Sequence, residues 1–186
     1  MNAAEHLFCS SSLWRSITGR KLLPWIFSGA NLGDHLLEIG AGYGAATPYL
    51  KSRVPRVTSL EYDIHSLLKL KSQTNGSSSA VCGDASHLPF ASQSFSSVVA
   101  ILMLHHLKST AAQDAAFSEI FRVLRPGGVF LAFEISDSWI HHVGHIRSTY
   151  TPVKTNSIAP RLSALGFTNI SVDSHTAGFR FSAVHP

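Results

Sequence analysis

Cysteine is scarce in this chain of 186 residues, which has only Cys9 and Cys82. With no Cys-x-x-Cys spacing, a disulfide framework, a zinc knuckle and a dithiol redox motif have no support. Charge is sparse too, at 14% against 45% hydrophobic residues. That balance excludes a disordered chain and leaves ample material for a core. No apolar run reaches the roughly 18 residues of a membrane span, so no membrane is expected as a partner. The first nine residues carry neither Lys nor Arg and no long apolar stretch; no secretory signal is expected, and the expected location is the cytoplasm. The formal net charge of +4 comes without a basic run. Lys51, Arg53 and Arg56, then Lys69 and Lys71, then Arg122 and Arg125 form small groups without interleaved aromatics. Solvated helix faces are the expectation, and nucleic acid is not an expected partner.

What is present is a phosphate- or nucleotide-type turn. Leu36-Leu37-Glu38-Ile39 is an apolar strand that runs directly into Gly40-Ala41-Gly42-Tyr43-Gly44 and then a helix pattern. Glycine opens backbone conformations closed to other residues and removes the Cβ between main chain and ligand. The pattern G-x-G-x-x-A also fits Gly40, Gly42 and Ala45, so a dinucleotide turn stays open at this point.

Downstream, strand and helix patterns alternate. Strands are expected at 35–39, 56–61, 79–82, 96–102 and 128–135, and helices at 44–53, 64–73 and 111–124, after two short helices within residues 1–30. Such alternation implies a parallel sheet wrapped by helices on both faces. The stretch 74–79 reads as a loop. A helix near 156–165 ends at Gly166, and two strands, 167–173 and 179–184, are close enough to pair antiparallel. The whole chain, 1–186, reads as one domain: a helical cover at 1–34, a cofactor core at 35–135, and an acceptor-side segment with the hairpin at 136–186.

Acids end successive strands. Glu61 follows the second strand about 20 residues beyond the glycine turn, where a carboxylate can accept both ribose hydroxyls; a solvated strand end is the alternative. Asp84, after the third strand, can accept from an adenine amino group, or else simply form a turn. His105 and His106 end the fourth strand, beside the place an acceptor should take, as candidate bases or as packing residues. His141, His142 and His145 lack an Asp, Glu or Cys to complete a ligand set, so no metal is expected. Trp14, Trp25 and Phe27, with Trp139 and Tyr150, are expected to cover an acceptor.

The ordered motifs Leu37 to Gly44, Glu61, Gly83-Asp84-Ala85 with Leu88-Pro89-Phe90, Phe95 to Val99, Leu104-His105-His106-Leu107 and Arg122 to Gly128 resemble class I S-adenosylmethionine-dependent methyltransferases of the small-molecule type. The resemblance covers roughly residues 35 to 135. Cys9-Ser10-Ser11, Trp14-Arg15 and Leu23-Pro24-Trp25 resemble a bacterial subset, without indicating a substrate. The resemblance implies a doubly wound, mostly parallel seven-stranded α/β sheet of Rossmann-like type with a C-terminal antiparallel hairpin. It implies S-adenosylmethionine as cofactor, with Gly40 and Gly42 along its methionine part, Glu38 nearby, Glu61 on the ribose, Asp84 and Ala85 at the adenine, and Leu102 or Met103 beneath. The base-methylating branches carry Asn-Pro-Pro-Tyr or Asp-Pro-Pro-Tyr after the fourth strand, where this chain has Leu102-Met103-Leu104-His105. A small-molecule acceptor is expected. A cofactor-binding module without activity and an NAD-type oxidoreductase are the alternatives, and the sequence does not give the oligomeric state.

Overall fold

The computed structural model describes residues 11, 16–74, 79–137, 148–175 and 178–186. Cys9, Trp14, Trp139, His141, His142, His145 and most of the 74–79 loop lie outside the described residues. A π-helical turn, Thr18–Leu22, runs directly into α1, Leu23–Ile26. Pro24 falls in the first turn of α1, where its missing N–H has no intrahelical partner to lose, so it starts a helix there. Next come β1 (His35–Ile39), α2 (Thr47–Lys51), β2 (Arg56–Glu61), α3 (Ile64–Gln73), β3 (Ser79–Cys82) and β4 (Phe95–Ile101). The chain continues through α4 (Thr110–Val123), β5 (Leu124–Ile135), α5 (Thr155–Ala164), β6 (Thr168–His175) and β7 (Gly178–Val184).

Among the described residues, seven strands form one sheet in the order β3-β2-β1-β4-β5-β7-β6. The β1–β2, β2–β3, β1–β4 and β4–β5 pairs are parallel; β7 enters antiparallel to β5, and β6 pairs antiparallel with β7. The fold is thus the expected Rossmann-like sheet closed by an antiparallel hairpin. From β1 the chain first winds outward to β2 and β3, then crosses back to β4 on the other side. The crevice between the carboxyl ends of β1 and β4 is therefore the topological switch point, where open α/β sheets bind ligands.

Both faces of the central strands are covered, and strict alternation sorts their side chains into two cores. Leu37, Ile39, Val98, Ala100, Phe130 and Ala132 join Phe117 and Ile120 of α4 and Phe181 of β7 on one face. Leu36, Val57, Val99, Leu131 and Phe133 join Leu23 and Ile26 of α1 and Leu50 of α2 on the other. The rings of Phe117, Phe130 and Phe181 meet with centroids 5.5 to 6.3 Å apart.

Two elements differ from expectation. The helix expected at 44–53 is shortened to Thr47–Lys51, because Gly44 has φ +77° and Pro48 occupies the first turn. The fifth strand starts at Leu124, four residues early: Leu124 pairs with Phe95, and residues 125–128 form an irregularity pinned by two bonds of about 2.9 Å between Gly127, Gly128 and His185. Of the basic groups, Lys51, Arg53, Arg56, Lys69 and Lys71 are exposed as expected, and Arg122 and Arg125 are half-buried. Arg56 and Arg125 share Asp34, and Arg122 pairs with Glu119.

Candidate functional site

The glycine turn follows β1 directly, and Gly40, Gly42 and Gly44 all have positive φ, at +71°, +52° and +77°. They serve different ends. A Cβ on Gly40 would lie 2.6 Å from Met103 Cβ, and one on Gly44 would lie 2.6 Å from Leu70 Cδ1; a Cβ on Gly42 would meet nothing within 4 Å. Gly40 and Gly44 thus allow close packing, whereas Gly42 faces open space against which a ligand can lie. The turn is anchored to β2 through the Gly40 and Ala41 N–H groups, both of which donate to Leu60 O.

Three carboxylates lie on β1 and at the ends of the next two strands. Glu38 is buried on β1, and its Oε2 accepts from Thr47 Oγ1 at 2.8 Å and Ser59 Oγ at 2.7 Å. Burial pushes its pKa up to about 7, against the pull of these two hydroxyls and with a further push from the Glu61 charge. Glu61, at the end of β2, accepts the Gly42 N–H at 2.7 Å on Oε2 and the Asp63 N–H at 3.0 Å on Oε1. It is clasped to the open glycine. β3 pairs Cys82 with Glu61, so Asp84 lies just beyond the neighbouring strand end. Both hydrogen bonds to Asp84 land on Oδ1, from Ser86 N at 2.8 Å and Ser86 Oγ at 2.7 Å. Partial burial would raise its pKa, but the Ser86 bonds with the charges of His87 and Lys108 outweigh that and hold it below the ordinary carboxylate range.

The loop after Asp84 is held by α4. Leu88 N donates to Glu119 Oε2 at 2.7 Å, while Arg122 donates to Leu88 O at 3.1 Å and Phe90 O at 2.8 Å, as well as to Glu119. Ala85 and Leu88 are buried beneath this clamp.

Across the crevice, β4 ends in a kink: Leu102 has φ +53°, rare for a non-glycine residue, and its N–H donates to Phe133 O. Glu134 of β5, fully buried, holds the three residues after the kink. Its Oε1 accepts the N–H groups of Met103 at 3.0 Å and Leu104 at 2.7 Å, and its Oε2 accepts from His105 Nδ1 at 2.5 Å. His105 is buried, with the His106 ring 4.2 Å and the Tyr150 ring 5.8 Å from it, centroid to centroid. Gln113 ties Leu104 O to Thr151 O, which seats residues 149–153 on the kink.

The sequence-predicted residues therefore lie at the carboxyl edge of the sheet: Glu38, Gly40 and Gly42 at the end of β1, Glu61 at the end of β2, Asp84 and Ala85 beyond β3, and Leu102, Met103, His105 and His106 beyond β4. Phe27 does not join them. It stacks on Tyr49 and lines a shallow hollow with Asn31, Leu32, Gly33 and Arg53, before the amino end of β1. Trp25 packs edge-on against Phe133 under the Arg180 guanidinium. The sequence does not single out Thr47, Ser59 or Glu119, while it shows Arg122 as one of a small basic group and Glu134 only as the end of the fifth strand. A lone acid in the apolar run Val129 to Ile135 is the signal that marks Glu134. Among the described residues, no group of three or more His, Cys, Asp or Glu side chains could hold a metal ion.

A glycine turn at the switch point, with Glu38 within β1, Glu61 ending β2, Asp84 just beyond β3 and an antiparallel seventh strand, is the arrangement of a nucleoside-binding α/β protein of the methyltransferase type. Comparison with known proteins agrees. The family model described as a methyltransferase domain matches residues 37–132. Demethylmenaquinone methyltransferase of Beutenbergia cavernae is 32% identical over 124 residues, covering 67% of this chain and 48% of that protein. 24-Methylenesterol C-methyltransferase 2 of Oryza sativa subsp. japonica is 31% identical over 111 residues, 56% of this chain and 30% of that one. The chain thus spans 30% to 48% of the length of these curated relatives. In fold, it superposes on the PH0226 protein of Pyrococcus horikoshii with a TM-score of 0.83, at 15% identity and 99% coverage of both chains. Phosphoethanolamine N-methyltransferase 2 of Haemonchus contortus, solved with S-adenosyl-L-methionine, gives 0.72 at 17% identity, covering 95% of this chain and 61% of that one. The chain belongs to the class I S-adenosylmethionine-dependent methyltransferases.

Proposed function

We propose that the protein is an enzyme that transfers the methyl group of S-adenosylmethionine to a small-molecule acceptor. The observation that carries this reading is the Glu61 carboxylate held on the N–H of the open Gly42 at the carboxyl edge of the sheet, with Glu38 in the adjacent β1 and Asp84 just beyond the adjacent β3. The donor set fits the cofactor chemically: a ribose diol, an adenine amino group and a cationic methionine part all call for carboxylate acceptors. Glu61, already fixed by two backbone N–H groups, would take the ribose hydroxyls. Asp84 would meet the adenine amino group through Oδ2, since Ser86 occupies Oδ1. Ala85 would lie against the ring. Glu38, with Oε2 taken by Thr47 and Ser59, would face the methionine ammonium through Oε1 or a water.

The sulfonium supplies an already activated methyl carbon, so the chain has mainly to align two groups and keep water out. Leu102 and Met103 would form the apolar floor beneath the sulfonium, held in place by the kink. The acceptor would enter from the carboxyl ends of β4 and β5, because the ends of β1, β2 and β3 are taken by cofactor. His105 and His106 stand there as the candidate bases. Three of the similar proteins act on a demethylmenaquinone, a 24-methylenesterol and phosphoethanolamine; the common part is a small molecule. Calorimetric titration with S-adenosylmethionine tests the reading, with Glu61→Ala and Asp84→Ala as the variants that should weaken it.

A further inference from the structure

Asp84 is held by more donors than its turn requires. The turn after β3 is already closed through the backbone: Ser86 N–H donates to Asp84 Oδ1 at 2.8 Å, His87 N–H to Asp84 O at 3.0 Å, and Leu88 N–H to Glu119 Oε2 at 2.7 Å. Two side chains add a second layer. Ser86 Oγ lies 2.7 Å from Asp84 Oδ1 and 3.1 Å from His87 Nδ1, so carboxylate, hydroxyl and imidazole form one chain of hydrogen bonds at the carboxyl end of β3.

The direction of that chain follows from which atoms can donate. Against the desolvation of partial burial, the Ser86 bonds with the charges of His87 and Lys108 hold Asp84 as a carboxylate, and a carboxylate only accepts. The one hydrogen of the Ser86 hydroxyl therefore goes to Asp84. What Ser86 Oγ has left for His87 is a lone pair, so the proton between those two belongs to His87 Nδ1. Two carboxylates, Asp84 and Glu119 of α4, lie near enough to feel the His87 charge, which favours the imidazole where it stands.

The outcome at Asp84 is lopsided. Oδ1 has two donors, both from Ser86, whereas Oδ2 has no hydrogen bond among the described residues. A carboxylate fixed by one oxygen presents the other in a set direction, as a preorganised acceptor. The exocyclic amino group of a 6-aminopurine can donate to that oxygen, while the carbonyl of a 6-oxopurine would set oxygen against oxygen. A site built to accept from one amino group rejects the analogue that lacks it.

Resting on the methyltransferase reading, in which Asp84 meets the adenine, we propose that Ser86 and His87 are positioning residues: the chain from His87 Nδ1–H through the Ser86 hydroxyl fixes Asp84 so that Oδ2 selects a 6-aminopurine over a 6-oxopurine. Both residues act through Asp84. Whatever they contribute to affinity is therefore lost once that carboxylate is removed.

The test uses the full chain, with S-adenosylhomocysteine and its 6-oxo counterpart S-inosylhomocysteine as probes in calorimetric titration. The wild type should prefer the amino compound. Ser86→Ala and His87→Phe should each weaken S-adenosylhomocysteine binding by roughly 3–10-fold, the size of one net hydrogen bond, and leave S-inosylhomocysteine unchanged. His87→Asn, whose side-chain N–H can stand where Nδ1 stands, should restore most of what His87→Phe loses. Adding Ser86→Ala to Asp84→Ala should cause no further loss, a result that general damage to the turn would not give. Long-range 1H–15N spectra of the 15N-histidine-labelled chain, with His87 identified by its absence in His87→Phe, should show the neutral ring protonated at Nδ1, and Ser86→Ala should abolish that preference. A neutral His87 protonated at Nε2, unchanged S-adenosylhomocysteine affinity in both single variants, equal losses for the two probes, or a full further loss in the Asp84→Ala background would each overturn the proposal. A wild-type chain that binds neither probe is a separate result, and it sinks the methyltransferase reading and the proposal with it.

Discussion

Met103 and Gly40 stand in such close contact that a Cβ added to the glycine would lie 2.6 Å from Met103 Cβ. This contact joins the two halves of the crevice, the glycine turn after β1 and the kink after β4. Gly40→Ala should therefore do two kinds of damage. The positive φ and the overlap together should cost about 2–4 kcal/mol of stability, and moving Met103 should weaken cofactor binding. Thermal unfolding and calorimetry check this. Gly42→Ala is the contrasting variant: it meets no protein atom, so it should keep more of its packing and lose affinity chiefly because its methyl group occupies ligand space.

A second expectation comes from Glu38. Its folded-state pKa is raised to about 7 by burial, above the ordinary 4.5 of an unfolded chain. The native state holds a proton that the unfolded state has released over this range. Stability from this group is thus fully present below pH 4.5 and is lost as pH rises towards 7, by about 3 kcal/mol at most. Denaturant unfolding at pH 5 and pH 8 should show that loss in the wild type, and Glu38→Gln should remove it. A cationic ligand beside Glu38 should favour the carboxylate, so cofactor binding near pH 6.5 should release protons, read as a dependence of the calorimetric heat on buffer ionisation enthalpy.

The clamp on the 88–90 loop gives a third. Arg122 reaches Leu88 O, Phe90 O and both oxygens of Glu119 through one planar guanidinium. Arg122→Lys should fail to restore what Arg122→Ala loses, because a single ammonium cannot span those acceptors. Each change should cost about 1–2 kcal/mol in stability, with a smaller loss of cofactor affinity. Equal affinity and stability in wild type and Arg122→Lys would show that the fork geometry is immaterial.

Much of this arrangement was legible in the sequence, for reasons that are local. The strand before the glycine turn is an unbroken apolar run because both sheet faces are covered, and alternate glycines state their backbone demand directly. Glu61 and Asp84 each follow an apolar strand, so their position at a carboxyl edge could be read off. The missing parts depend on partners distant in sequence. Arg122 looks like one more basic residue on a helix until the 88–90 carbonyls are placed beside it, 32 to 34 residues away. Glu134 shows only as an interruption of an apolar strand, and its three donors come from about 30 residues upstream. Phe27 was expected at the acceptor because it is aromatic and near the N-terminus; hydrophobicity does not say at which end of the sheet a side chain will bury, and here it stacks on Tyr49.

The proposed function stands or falls with Glu61 and Asp84, at adjacent strand ends, holding the ribose and the adenine of one nucleoside cofactor. Calorimetric titration of the wild-type chain with S-adenosylmethionine and with S-adenosylhomocysteine probes this without intermediate steps, alongside the same titrations of Glu61→Ala and Asp84→Ala. The expected result is one site per chain for both ligands, no competition from NAD, and a loss of about 1–3 kcal/mol in each variant, the range for unpairing a buried polar group. No binding by the wild type, or affinity unchanged in both variants, would contradict it.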